Sequence, residues 1–250
     1  MPFDRASLDA PFVALKAYDW GGDAAAFKPI DDAVVAAPGD AALREDLETR
    51  LGAILGAGTS RAAKEYACRR LMMIGTEASV PALAALLGDA DDSHMARFAL
   101  DRISGPEAAQ ALRDALGRAQ GSLRIGMIES LGGRGDAASV PALARLLASD
   151  PPVAAAAAKA LGHIRTPEAL AALSAADPFA GSGVGRAVAD ARLASAEALL
   201  AAGKRADAQS VYQSLADAVQ GKPETKATKA VELAAARGLL ACLDTLSAAS

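Results

Sequence analysis

The stretch Ser79-Val80-Pro81-Ala82-Leu83-Ala84-Ala85-Leu86-Leu87 returns as Ser139-Val140-Pro141-Ala142-Leu143-Ala144-Arg145-Leu146-Leu147, with eight identities in nine positions at an offset of 60 residues. Weaker echoes lie halfway along. Ala109-Gln110-Ala111-Leu112 follows Val80-Pro81-Ala82-Leu83 by 29 residues, and Pro167-Glu168-Ala169-Leu170 follows the second copy at a similar interval. The period is therefore about thirty residues, the range of stacked helical repeats. A unit of that size buries its apolar side only by leaning on its neighbours.

Each unit holds two apolar-periodic stretches separated by a turn, as in 61–74, then Gly75-Thr76-Glu77-Ala78, then 79–87. Val80, Leu83 and Leu87 fall at i, i+3 and i+7, one stripe of a helix. Pro81 sits in the first turn, where a missing N–H costs nothing, and Ser79 is the expected N-cap. Three more hairpins read as 92–103 with 106–118, 121–132 with 139–149, and 152–162 with 167–176. Gly75, Gly105, Gly132-Gly133 and Gly162 mark the expected helix ends. Helices are also expected over 7–19, 24–37 and 40–56.

Composition agrees with helices packed closely together. Hydrophobic residues make up 52% of the 250, but aromatics only 4%, so the apolar content is chiefly alanine, leucine and valine. No asparagine occurs, which removes the commonest tight-hairpin signals and every N-glycosylation acceptor. The formal net charge is −4, with ten acidic against five basic residues in 1–60, so no electrostatic footprint for nucleic acid is present. Met1-Pro2-Phe3-Asp4 leads into no apolar run of secretory-signal length, and no segment approaches the ~18 apolar residues of a membrane span. A soluble chain is expected; the compartment stays open, and export of a longer precursor is compatible with the sequence.

Leu71-Met72-Met73-Ile74-Gly75 and Ala160-Leu161-Gly162, together with the two Val-Pro-Ala-Leu openings, resemble the HEAT-repeat family in its short bacterial form of about thirty residues. The resemblance implies an all-α, right-handed α-α superhelix of the armadillo-like type. It covers 60–177, with 1–59 as degenerate N-terminal repeats. Pro178 and the glycines at 181, 183 and 185 break the period, so 178–186 is expected as a loop. Beyond it, Ala194, Leu199 and Gly203, then Ala206, Ala208, Tyr212 and Leu215, resemble one tetratricopeptide-type hairpin. With a terminal helix over 224–246, residues 187–250 are expected to stack on the solenoid.

Chemistry of the usual kinds finds few residues. The only histidines, His94 and His163, lie in no ligand spacing. His94 reads as an exposed residue near a helix start, and His163 as part of an inter-helix turn. Cys68 and Cys242 are far apart and read as buried apolar residues. Gly181, Gly183 and Gly185 lack the strand and the spacing of a dinucleotide loop. Gly203-Lys204-Arg205 lacks the rest of a phosphate loop. HEAT-type diiron hydroxylases use His-Glu steps, and this chain has no His-Glu dipeptide. HEAT-like DNA glycosylases need a basic aromatic groove, whereas Trp20 is the only tryptophan. The strip Arg61, Lys64, Arg69 and Arg70 does not share one helix face and reads as solvated.

No catalytic residue, cofactor or metal site is therefore expected. The expected role is a non-catalytic scaffold, or a module of a larger protein, that binds a protein or peptide on the wall formed by second helices. Its exposed positions are Ala82, Ala85 and Asp89, then Ala111, Asp114 and Arg118, then Ala142, Arg145 and Ser149. Arg113, Asp114, Arg118, Arg145 and Ser149 are the candidate contact residues. Leu239, Leu240, Leu243 and Leu246 make the final helix apolar and point to self-association there. Bilin lyases resemble this chain in repeat length, so a ligand chaperone or enzyme of that kind is the alternative.

Overall fold

Every regular element among the described residues is a helix, and capping explains where several begin. The computed structural model describes residues 4–181 and 183–243. After a 3-10 turn at Arg5–Leu8 come α1 (Asp9–Lys16), α2 (Lys28–Ala36) and α3 (Ala41–Ile54). The carboxylate of Asp40 accepts from the Leu43 N–H at 3.0 Å, satisfying one of the orphan donors that open α3. Ser60 does the same for α4 (Arg61–Ile74), accepting from Ala63 N at 3.1 Å.

The repeat hairpins follow: α5 (Val80–Ala84), α6 (Ser93–Arg102), α7 (Pro106–Leu116), α8 (Gly121–Gly133), α9 (Val140–Leu146), α10 (Pro151–Ile164) and α11 (Pro167–Ala175). Three longer helices complete the described chain: α12 (Val184–Ala201), α13 (Arg205–Val219) and α14 (Lys226–Leu243). No strand occurs among the described residues.

The chain forms two compact units, residues 1–130 and 131–250. In the first, α4 packs on α6 and α5 on α7, so first helices stack on first helices and second on second. Leu43, Leu47, Leu51, Leu71, Leu83, Leu100 and Leu112 are fully buried there. In the second, α10 packs on α12 and α9 on α11 in the same way. Then α12, α13 and α14 close on one another around Ala196, Ala208, Tyr212, Leu215 and Ala235. This is all-α solenoid packing within each unit.

Two local expectations are corrected. Ser79 caps nothing: a 3-10 turn at Glu77–Ser79 precedes α5, and Thr76 caps it, its hydroxyl accepting from Ala78 N. Ser79 is buried instead and donates to the carboxylate of Glu48 at 2.6 Å. Ser139 is likewise buried and donates to the Asp136 carbonyl at 2.7 Å. The glycines also divide by role. Gly75 ends α4, and Gly132 and Gly162 lie near the C-termini of α8 and α10 as expected, within the last turn, where a Cβ would stand 2.7 Å from the Ala160 Cα and 2.8 Å from the Ala191 Cβ. They let neighbouring helices approach. The left-handed residue that ends α10 is Arg165, at φ 56°, so His163 belongs to the last helical turn rather than to the inter-helix turn.

Candidate protein-interaction groove

Second helices of consecutive repeats leave a shallow groove where their short side chains meet. Between α5 and α7 it encloses about 550 Å³ and is open to solvent. Val80, Pro81, Ala84 and Ala111 give it small apolar walls, because the larger leucines of the same helices, Leu83 and Leu112, turn into the core. Three of the five expected contact residues line it: Arg113, Asp114 and Arg118. Arg113 is half-buried, while Asp114 and Arg118 are exposed.

These polar groups are ordered along α7. The guanidinium of Arg113 donates to Gln110 Oε1 at 2.7 Å, and the Gln110 amide donates to Asp114 Oδ1 at 2.8 Å. The i, i+3 and i+4 spacings of one helix face make this chain of contacts. Its effect is to hold a cation and an anion side by side on the groove's rim. Arg145 and Ser149 belong to the second unit, where Arg145 is exposed and Ser149 half-buried. Gln110, Glu107 and Pro81 also line the groove and were not singled out from sequence. Gln110 could have been: it is three residues before Arg113 and four before Asp114.

The residues of the basic strip find partners within the fold. Arg61 pairs with Asp91 at 3.6 Å, Lys64 with Asp92 at 2.6 Å, Arg69 with Glu65 and Arg70 with Asp31 at 2.7 Å. Arg70 also lies over the Tyr66 ring, whose hydroxyl donates to Asp31 at 2.7 Å. Burial raises the Tyr66 pKa above the ordinary phenol value, and the bond to Asp31 adds to it. Three of the four basic residues thus tie α4 to neighbouring segments, and the Arg69–Glu65 pair lies within α4 itself. His94 is exposed and stacks edge-on against Phe98, and His163 is also exposed. Both cysteines are buried, as expected, and burial pushes the Cys68 thiol up to about 12, leaving it protonated at neutral pH. Among the described residues no group of three or more His, Cys, Asp or Glu side chains is placed to hold a metal ion. No described helix is long and apolar enough to cross a membrane.

Comparison with known proteins adds a family match. Residues 109–179 match the family model described as HEAT repeats. The crystal structure of an engineered protein is similar at a TM-score of 0.43 and 23% identity, covering 80% of this chain and 97% of that one. The structure of human deoxyhypusine hydroxylase in complex with glycerol is similar at a TM-score of 0.35 and 16% identity, covering 94% and 96%. Neither likeness carries an argument about function. No curated protein matches the chain significantly.

Proposed function

We propose that this chain, whose residues 109–179 match HEAT repeats, is a non-catalytic scaffold whose second-helix surfaces bind a protein or peptide partner. The observation that carries the reading is the α5–α7 groove, with small apolar walls and the ordered Arg113–Gln110–Asp114 chain on its rim. Small walls admit an extended backbone or a helix face, and the paired charges set register. Arg145 and Ser149 extend the same reading to the second unit. A bilin-lyase-like ligand chaperone or enzyme would call for an enclosed pocket with converging polar groups. This groove is open, and Arg113, Gln110 and Asp114 are bonded to one another rather than converging on a pocket, so the interaction reading is preferred for it.

The test is affinity capture from the native host with the wild-type chain beside an Arg113→Glu, Arg145→Glu variant. The variant is expected to bind the captured partner about tenfold more weakly or worse, the usual effect of reversing charge at a partly desolvated contact. Equal recovery of the same proteins by both chains would remove the second-helix assignment.

Self-association through α14 belongs to the same proposal. Leu233, Leu240 and Leu243 are each more than half exposed on that helix, while Leu246 lies outside the described residues. Sedimentation at rising protein concentration is expected to show a dimer that Leu240→Glu returns to monomer. A wild-type chain that stays monomeric at about 100 μM, a weak-dimer concentration, rules this out.

A further inference from the structure

The second unit contains a cleft of about 710 Å³ between α11 and the α12–α13 hairpin, of a size that suits a small molecule. Leu170, Leu199 and Val211 give it apolar walls. Arg165 and Lys204 stand on its rim against one acid, Asp207, so its balance is positive in a chain whose net charge is negative. Arg165 holds its place in a left-handed conformation that side chains other than glycine rarely adopt, and it is alone in this among the described non-glycine residues.

Behind the cleft wall lies an arginine without a counter-charge. Arg192 is only 2% exposed, and its guanidinium donates through Nη2 to the hydroxyl of Ser214, which lines the cleft. Its Nε has no partner, and no carboxylate of the described residues forms an ion pair with it. Burial alone draws its pKa below the ordinary guanidinium value. Burying a cation unpaired is costly, and an anion seated nearby relieves that cost. Ser214 now donates to the Val211 carbonyl at 3.0 Å, and a turn of its hydroxyl would present it to the cleft.

We propose that this cleft binds a small molecule carrying a carboxylate or phosphate head on an apolar body, with Arg192 as the buried counter-charge and Lys204 as the rim contact. The apolar body lies against Leu170, Leu199 and Val211, and the head faces Ser214. This site shares no residue with the α5–α7 groove and does not depend on the scaffold reading.

Calorimetric titration of the whole chain with octanoate, octyl phosphate and octanol tests it. At least one of the two anions is expected to bind saturably and at least about tenfold more tightly than octanol. Binding by only one of them identifies the head group. Arg192→Met is expected to weaken the anion about tenfold or more while raising the Tm of the ligand-free chain, since the buried charge is gone. Arg192→Lys should restore part of the affinity. Lys204→Glu, at an exposed position, gives a second reading that does not hang on folding of the Arg192 variant: about tenfold weaker anion binding with octanol unchanged. The proposal fails if neither anion exceeds octanol, or if Lys204→Glu leaves anion binding untouched. It also fails if Arg192→Met lowers the Tm and spares binding, which would make Arg192 only a structural donor to Ser214.

Discussion

Replacing Gly132 by valine is expected to destabilise the second unit by about 3 kcal/mol, whereas Gly133→Ala, one residue along the same helix, is expected to stabilise it by about 0.5–1 kcal/mol. A Cβ at Gly132 would stand 2.7 Å from both Cα and Cβ of Ala160 on α10. Those atoms belong to backbone and to a side chain with no rotamer, so only a shift of the whole helix relieves the clash. A Cβ at Gly133 meets nothing within 4 Å, and alanine there lowers the entropy lost on forming the helix. Valine and alanine differ in helix propensity by roughly 0.6 kcal/mol, far less than the difference expected between the two variants, so contact with α10 decides the outcome. Urea denaturation followed by circular dichroism measures both. Equal effects would mean that α8 and α10 do not approach as described.

Glu48→Ala is expected to cost the first unit about 3 kcal/mol. The Glu48 carboxylate is buried and takes donors from the following repeat: Thr76 N–H at 2.6 Å, Thr76 Oγ1 at 2.9 Å and Ser79 Oγ at 2.6 Å. These bonds tie α3 to the turn before α5. Removing the acceptor strands a backbone N–H and a buried hydroxyl, which costs more than the bonds themselves contribute. Glu48→Gln keeps one acceptor oxygen but sets an NH₂ against donors, so an intermediate loss is expected. A shift in the unfolding midpoint worth less than about 0.5 kcal/mol for Glu48→Ala would show that water replaces the carboxylate.

Glu48 illustrates what periodicity conceals. From sequence, it is one more acid in an acidic stretch, yet it is the residue around which a turn 28 residues later is organised. The Ser79 reading failed for the same reason: a serine before Val-Pro is a good cap by local rules, but the Glu48 oxygen captured its hydroxyl first. Arg192 was legible in hindsight. Gly185, Val188, Ala189 and Ala196 form a small apolar stripe on α12, and Arg192 falls on that stripe, where a charge has to be buried. The interaction groove was legible in part, since Arg113, Asp114 and Arg118 lie where the stripe of Leu112 turns away. Pro81 and Ala84 were hidden because small residues carry no pattern of their own.

The sequence by itself determined that the chain is helical, that its hairpins recur about every thirty residues, and which leucines are inside. These follow from spacing along one chain, and the 3.6-residue turn converts spacing directly into faces. Only the tertiary structure decided which glycines are contacts rather than caps, which acids hold the next repeat's turn, and where an arginine is buried without a partner. Each of those depends on the few ångströms between helices that come from different repeats. Local sequence rules describe a helix and its ends and say nothing about that distance.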